Sequence, residues 1–176
     1  MKKNILVFGL ISGLIVSITM SVSMVLCYNK NSYSGNMVLG YTMMLLAFAF
    51  VFVGIKNYRD KFNGGLISFG NAFKIGGLIA LIASTMYVIA WLIVYYNFIP
   101  DFMEKYSAHV INQAKEAKVS QAELNKQIAQ MDSFKEIYKS PFGIILMTYL
   151  EILPLGLIVA LISSLILRKK EIKIVA

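Results

Sequence analysis

The chain has 176 residues, of which 58% are hydrophobic and 15% charged, and a net charge of +8. A soluble domain is about 45–50% apolar and about 25% charged, so this composition excludes an ordinary water-soluble globule. A lone cysteine, Cys27, excludes an internal disulfide or a cysteine cluster for metal, and a lone histidine, His109, excludes a multi-histidine site.

The apolar excess is gathered in blocks, and a membrane-crossing helix needs about 20 mostly apolar residues. The first block covers residues 5–27. It follows Lys2 and Lys3 and carries Gly9, Gly13, Ser17 and Ser21, a small residue at every fourth position. Such a stripe is a smooth face on which another helix backbone can approach closely. A rival reading takes the basic start, the apolar run and Ser21-Val22-Ser23 as a signal peptide with a small-residue cleavage site. The run continues past that site through Met24, Val25 and Leu26, which favours a retained span with Cys27 as an inert thiol at its end.

The second span covers residues 37–55. Gly64-Gly65 then makes a turn, and Ser68 is placed to cap a new helix. If that helix runs on to Tyr96 it is ~42 Å long, more than the ~30 Å of a hydrocarbon core. Its first turns therefore belong at the interface, with Phe69 and Phe73 in lipid and Lys74 snorkelling to headgroups as an anchor. The span proper, residues 75–96, carries the stripe Gly76, Ala80 and Ser84.

Residues 101–139 change character: charges become dense and balanced, and glycine is absent. Phe102, Tyr106 and Val110 recur at helical spacing, as do Leu124, Ile128 and Met131. Ser120-Gln121-Ala122-Glu123 fits a capping box. The segment reads as two helices divided near Lys118-Val119, a hairpin outside the membrane, with His109 solvated on its first helix. Ser140-Pro141 supplies an N-cap and a first-turn proline for the fourth span, residues 142–167, whose stripe is Gly156, Ala160 and Ser164.

Charge sets the expected orientation. Lys2, Lys3, Lys56, Arg59, Lys61, Lys74, Arg168, Lys169, Lys170 and Lys173 all fall on one side of a four-span chain, against only Asp60 and Glu171. That side sums to +8 and the other, with Lys30 and the insert, to +1, Glu151 supplying the remaining −1. By the positive-inside rule both termini are expected in the cytoplasm. The basic residues then serve topology and membrane lipids, and without a basic stripe of interleaved aromatics no nucleic acid is expected. Tyr28, Tyr33, Trp91, Tyr95, Tyr96 and Tyr138 gather near the outer ends, as interfacial rings do.

Glu151 interrupts the fourth span, ten residues after Pro141 and so ~15 Å below the helix start. A carboxylate at such depth costs roughly 2.5–3.5 kcal/mol on insertion scales. Pro154 lacks an N–H and pushes away the carbonyl of Leu150, so two acceptors lie side by side and need a donor, a proton or a cation. Lys74 lies too near the cytoplasmic edge to supply one; Ser17, Ser21, Tyr41, Thr42, Ser84, Thr85 and Tyr87 are at better depth. The structural reading has a neutral Glu151 hydrogen-bonding across the bundle and fixing helix register. The functional reading is an ion or proton site formed by Glu151, Pro154 and Leu150.

There is no phosphate-binding glycine loop, zinc-protease helix or serine elbow, so no catalytic residue, metal or cofactor is expected. The layout resembles a family of small bacterial membrane proteins catalogued as domain of unknown function 4199. The resemblance rests on Ser68-Phe69-Gly70-Asn71-Ala72-Phe73 before a span, on Phe134-Lys135-Glu136-Ile137-Tyr138-Lys139-Ser140-Pro141, and on Glu151-Ile152-Leu153-Pro154-Leu155-Gly156-Leu157 with a basic end at Arg168-Lys169-Lys170. It covers nearly the whole chain and implies a multi-pass inner-membrane protein, with no activity attached.

The expectation is therefore an all-α protein, one membrane domain over residues 1–176: a four-helix bundle with an extracytoplasmic helical hairpin between spans three and four. The leading function is a non-enzymatic accessory or assembly protein that presents the hairpin, with a homo-oligomer or a membrane-protein partner bound through residues 101–139. The alternative is a small proton- or cation-linked transporter or channel using Glu151.

Overall fold

A computed structural model describes residues 1–29 and 37–169; Lys30, Tyr33, Lys170, Glu171 and Lys173 lie outside the described residues. The described chain is all-helical. Its elements are α1 (Lys2–Asn29), α2 (Met37–Phe62), α3 (Phe69–Asn97), α4 (Phe102–Glu116), α5 (Gln121–Tyr138) and α6 (Pro141–Leu167). Four of them, α1, α2 over Gly40–Phe62, α3 and α6, are long and apolar enough to cross a membrane.

The helix starts follow local chemistry. Ser68 Oγ accepts from the Asn71 N–H at 3.4 Å, Ser120 Oγ from the Glu123 N–H at 3.3 Å and Ser140 Oγ from the Gly143 N–H at 2.9 Å. Each satisfies a donor that a helix start leaves open. The capping box at Ser120 is only half made, because Glu123 Oε1 accepts from Gln127 Nε2 at 3.5 Å. The break between α4 and α5 falls at Lys118, with φ of 53°, and the turn before α3 uses Gly64 and Gly65 at φ of 60° and 78°. A glycine takes that left-handed geometry without a Cβ clash.

α3 packs against α1, α2 and α6, and α2 also packs against α1 and α6. The small-residue stripes are the contact surfaces. Gly9 of α1 lies under Ile82, and Gly13 under Ala83 and Met86. The stripes of α3 and α6 face each other: Gly76 meets Ala160, and Gly156 meets Ala80 beside the Phe48 ring. Ser84 and Ser164 are buried in line with them, while Ser17 is buried and Ser21 half-buried on α1. Two side chains tie α1 to the backbone of α2: Asn4 Nδ2 donates to the Gly54 carbonyl at 2.9 Å, and Ser12 Oγ to the Ala47 carbonyl at 2.8 Å.

The start of α1, the α2–α3 connection and the end of α6 meet at one end, here called the basic end. Ile67 and Lys169 exchange backbone hydrogen bonds of 3.0 and 2.9 Å, and Arg59 Nη1 donates to the Leu167 carbonyl at 3.2 Å. A guanidinium there suits the open carbonyls and negative dipole of a helix C-terminus.

At the opposite end, α4 packs on α5 and both are held to the ends of the long helices. The Tyr28 hydroxyl donates to Asp101, and the Lys105 ammonium lies 3.1 Å from the same carboxylate and 4.0 Å above the Tyr28 ring. Trp91 meets Phe102 edge to face at 5.3 Å, and Tyr95 meets Tyr138 at 5.7 Å. Trp91 and Tyr95, expected near the outer ends, are buried under protein, because the insert covers them. His109, expected to be solvated, is half-buried.

Candidate functional site

Glu151 is held by a helix that buries one line of residues and leaves much of the rest exposed. The buried line of α6 runs through Ile144, Thr148, Ile152, Gly156, Ala160 and Ser164. On one flank, Tyr149 shares a 2.8 Å hydrogen bond with Thr85 Oγ1 of α3, which also donates to its own Leu81 carbonyl. On the other flank comes Glu151, one helical step of 100° from Leu150 and Ile152.

Its side chain is exposed, as are those of Leu150 (60%) and Pro154. α6 stays helical through Pro154. The missing proline N–H leaves the Leu150 carbonyl without its helical donor. The three residues singled out in the sequence thus share one outward face of α6.

The expected donors are distributed otherwise. α1 packs on α3 and α2 and shares no substantial contact with α6, which puts Ser17 and Ser21 out of reach. Thr85 is engaged with Tyr149 on the far flank. Ser84 and Ser17 are buried, and their hydroxyls have no partner among the described residues. Tyr87, buried in α3, and Tyr138, at the end of α5, are the groups within electrostatic reach of Glu151. Tyr41 of α2, exposed, lies near Tyr87. Among the described residues none makes a hydrogen bond or ion pair with Glu151.

Tyr138 shows what this neighbourhood does to a phenol. Burial pushes it up to about 12, the nearby Glu151 carboxylate adds to the rise, and a hydrogen bond with Trp91 opposes it. Tyr138 thus keeps its proton over the physiological range and stays a donor. At the insert, the Tyr28 hydroxyl and the Lys105 ammonium hold the Asp101 carboxyl below its usual range, while Tyr28 and Asp101 raise Lys105. Sequence spacing gave no sign of this three-residue latch, whose members come from α1, the α3–α4 turn and α4.

The remaining candidates are simpler. Lys74 is exposed on the second turn of α3, as a headgroup anchor requires. Cys27 is a half-buried free thiol. Between α4 and α5 lies an open groove of about 460 Å³ lined by Val110, Ala114, Val119, Glu123, Gln127 and Met131. Among the described residues no three His, Cys, Asp or Glu side chains converge.

A family model described as a protein of unknown function, DUF4199, matches residues 7–169. The chain belongs to the DUF4199 family. No curated protein and no solved structure matches it. The DUF4199 match enters inside α1 and ends at Lys169, so it takes in the stripes, the insert, the face bearing Glu151 and the Ile67–Lys169 closure.

Proposed function

We propose that this DUF4199 protein is a non-enzymatic accessory or assembly protein of the bacterial inner membrane. Its four long helices form a bundle across the bilayer, with both termini cytoplasmic. α4 and α5 form a helical hairpin on the extracytoplasmic side, where a partner binds. The observation that carries this reading is the mounting of the insert: the Tyr28–Asp101–Lys105 latch and the Trp91–Phe102 and Tyr95–Tyr138 contacts fix it to two of the long helices, α1 and α3. A segment held this firmly is a platform, not a slack connection. The excess of basic residues at the opposite end supports the orientation.

Photo-crosslinkers at the exposed positions Asn112 and Asn125 test it in cells. Discrete adducts that vanish with Phe102→Ala are expected, and their absence from both positions would overturn the platform.

The second reading, a proton- or cation-linked transporter or channel, is favoured by one observation: Glu151 is open on one side at a depth where carboxylates are rare. Proton and sodium flux in proteoliposomes, wild type beside Glu151→Gln, separates the two. The accessory reading expects no flux from either protein; flux lost in a well-folded mutant would replace it with transport.

A further inference from the structure

The outward face of α6 has a chemistry that the hairpin does not use. Glu151 sits ten residues into a 27-residue helix, so it falls within the apolar slab and not at its rim. Around it, Leu150, Ile158, Leu161 and Ile162 are exposed, as a lipid-facing surface requires. A carboxylate among them, with the donor-less Leu150 carbonyl one residue away, leaves two acceptors open on the same side. Tyr87, buried in α3, and Tyr138 are within electrostatic reach of Glu151, which itself stays exposed.

What covers this face must bring donors. Lipid tails bring none. A second copy of the chain brings none of the right kind either. Its four spans hold no Lys or Arg at this depth, since Lys2, Lys3, Lys56, Arg59, Lys61, Lys74, Arg168 and Lys169 lie at helix ends. Two such faces would set carboxylate against carboxylate. A foreign helix carrying one basic residue matches the face better. An ammonium satisfies Glu151, and a guanidinium fork spans both the carboxylate and the adjacent carbonyl.

We propose that the Leu150–Glu151–Pro154 face of α6 docks a transmembrane helix of another protein that carries a Lys or Arg near mid-membrane. This contact lies within the bilayer, is separate from the hairpin and does not depend on the hairpin having a partner. Glu151 supplies the charge, Pro154 exposes the Leu150 carbonyl, and the surrounding leucines and isoleucines give the helix its packing surface.

The test places the full chain, labelled with a donor fluorophore, in liposomes with acceptor-labelled synthetic helices of ~20 residues, Leu/Ala-rich with a single central Arg or Leu. Energy transfer to the Arg peptide should report association about tenfold tighter than to the Leu peptide, the upper size of one interhelical polar contact in lipid. Glu151→Gln should erase most of that preference and Glu151→Asp keep part of it. Because the side chain is exposed, both variants should keep wild-type helicity and elution. Equal association of the two peptides, or a preference unchanged in Glu151→Gln, overturns the proposal. Glu151-dependent transfer between copies of this chain without any peptide overturns it in favour of a second copy.

Discussion

Where α3 meets α6, small residues make the closest contacts: Gly76 lies against Ala160, and Gly156 against Ala80 and Phe48. Where the insert meets the ends of the long helices, the contacts are aromatic rings and a carboxylate shared by a phenol and an ammonium. The seam is specified by size, because lipid is as apolar as the side chains and only close packing favours protein over lipid. The dock is specified by polarity and ring geometry: buried rings meet edge to face, and a carboxylate takes a phenol and an ammonium. One chain thus joins its parts by two kinds of bond, which should fail under different insults.

The largest expected effect breaks the seam. A methyl on Gly156 would stand 2.8 Å from Phe48 and 2.9 Å from Ala80, so Gly156→Leu forces the helices apart. Overpacking costs about 1–3 kcal/mol, and collision on two sides argues for the top of that range. Denaturation in bicelles should show the loss at every pH from 5 to 8 alike. A stability within 1 kcal/mol of wild type would show that the seam gives way easily.

Next comes the dock. Phe102→Ala removes a half-buried ring and its edge contact with Trp91, worth about 2 kcal/mol from burial and ring pairing together. The loss should be local: trypsin should cut at the insert lysines roughly 30-fold faster while α1–α3 stay intact. Unchanged protection would mean that the latch alone holds the insert.

Within the seam, Tyr149→Phe should cost only about 0.6 kcal/mol, the mean of interhelical hydrogen bonds in lipid. A loss above 2 kcal/mol in the same bicelle assay would give the seam a polar component that its packing does not suggest.

The smallest effect is the latch and its pH sign. The Asp101 carboxyl is held below its unfolded value, near 3.9. Its contribution is therefore whole above that value and is lost as pH falls through the lower folded one. Lys105 is raised, so its share is whole below about 10.4 and lost as pH climbs through the folded value. Insert protection should be flat between about pH 5 and 10 and weaken in acid, with no acid step in Asp101→Asn. Since the pair is exposed, the change should be small.

Much of this was readable from local signals. Ser68, Ser120 and Pro141 act through neighbours within a turn, and those interactions survive in any tertiary context, while the stripes show as plain four-residue spacing. The direction of Glu151 was not read because a membrane span is apolar all round, so hydrophobic periodicity cannot separate the protein side from the lipid side. A usable signal did exist. Stepping the stripe of Gly156, Ala160 and Ser164 back by four reaches Ile152, Thr148 and Ile144, which puts Glu151 a step off the seam. The dock was hidden for another reason. Trp91 and Tyr95 have the composition of an interfacial belt, and only the return of the insert over them decides that they are covered by protein.

The small antiparallel bridge between Ile67 and Lys169 sets an order of events during synthesis. Its two halves are separated in sequence by α3 through α6, so the ribosome must finish the last helix before the connection after α2 can be fastened. Until then Ile67, later 1% exposed, has no backbone to pair with, and the connection that begins at Gly64-Gly65 is not fastened. Closure of this clasp therefore reports that α6 has been made and packed. Truncated products that stop inside α6 would carry an open turn that quality-control proteases can grip.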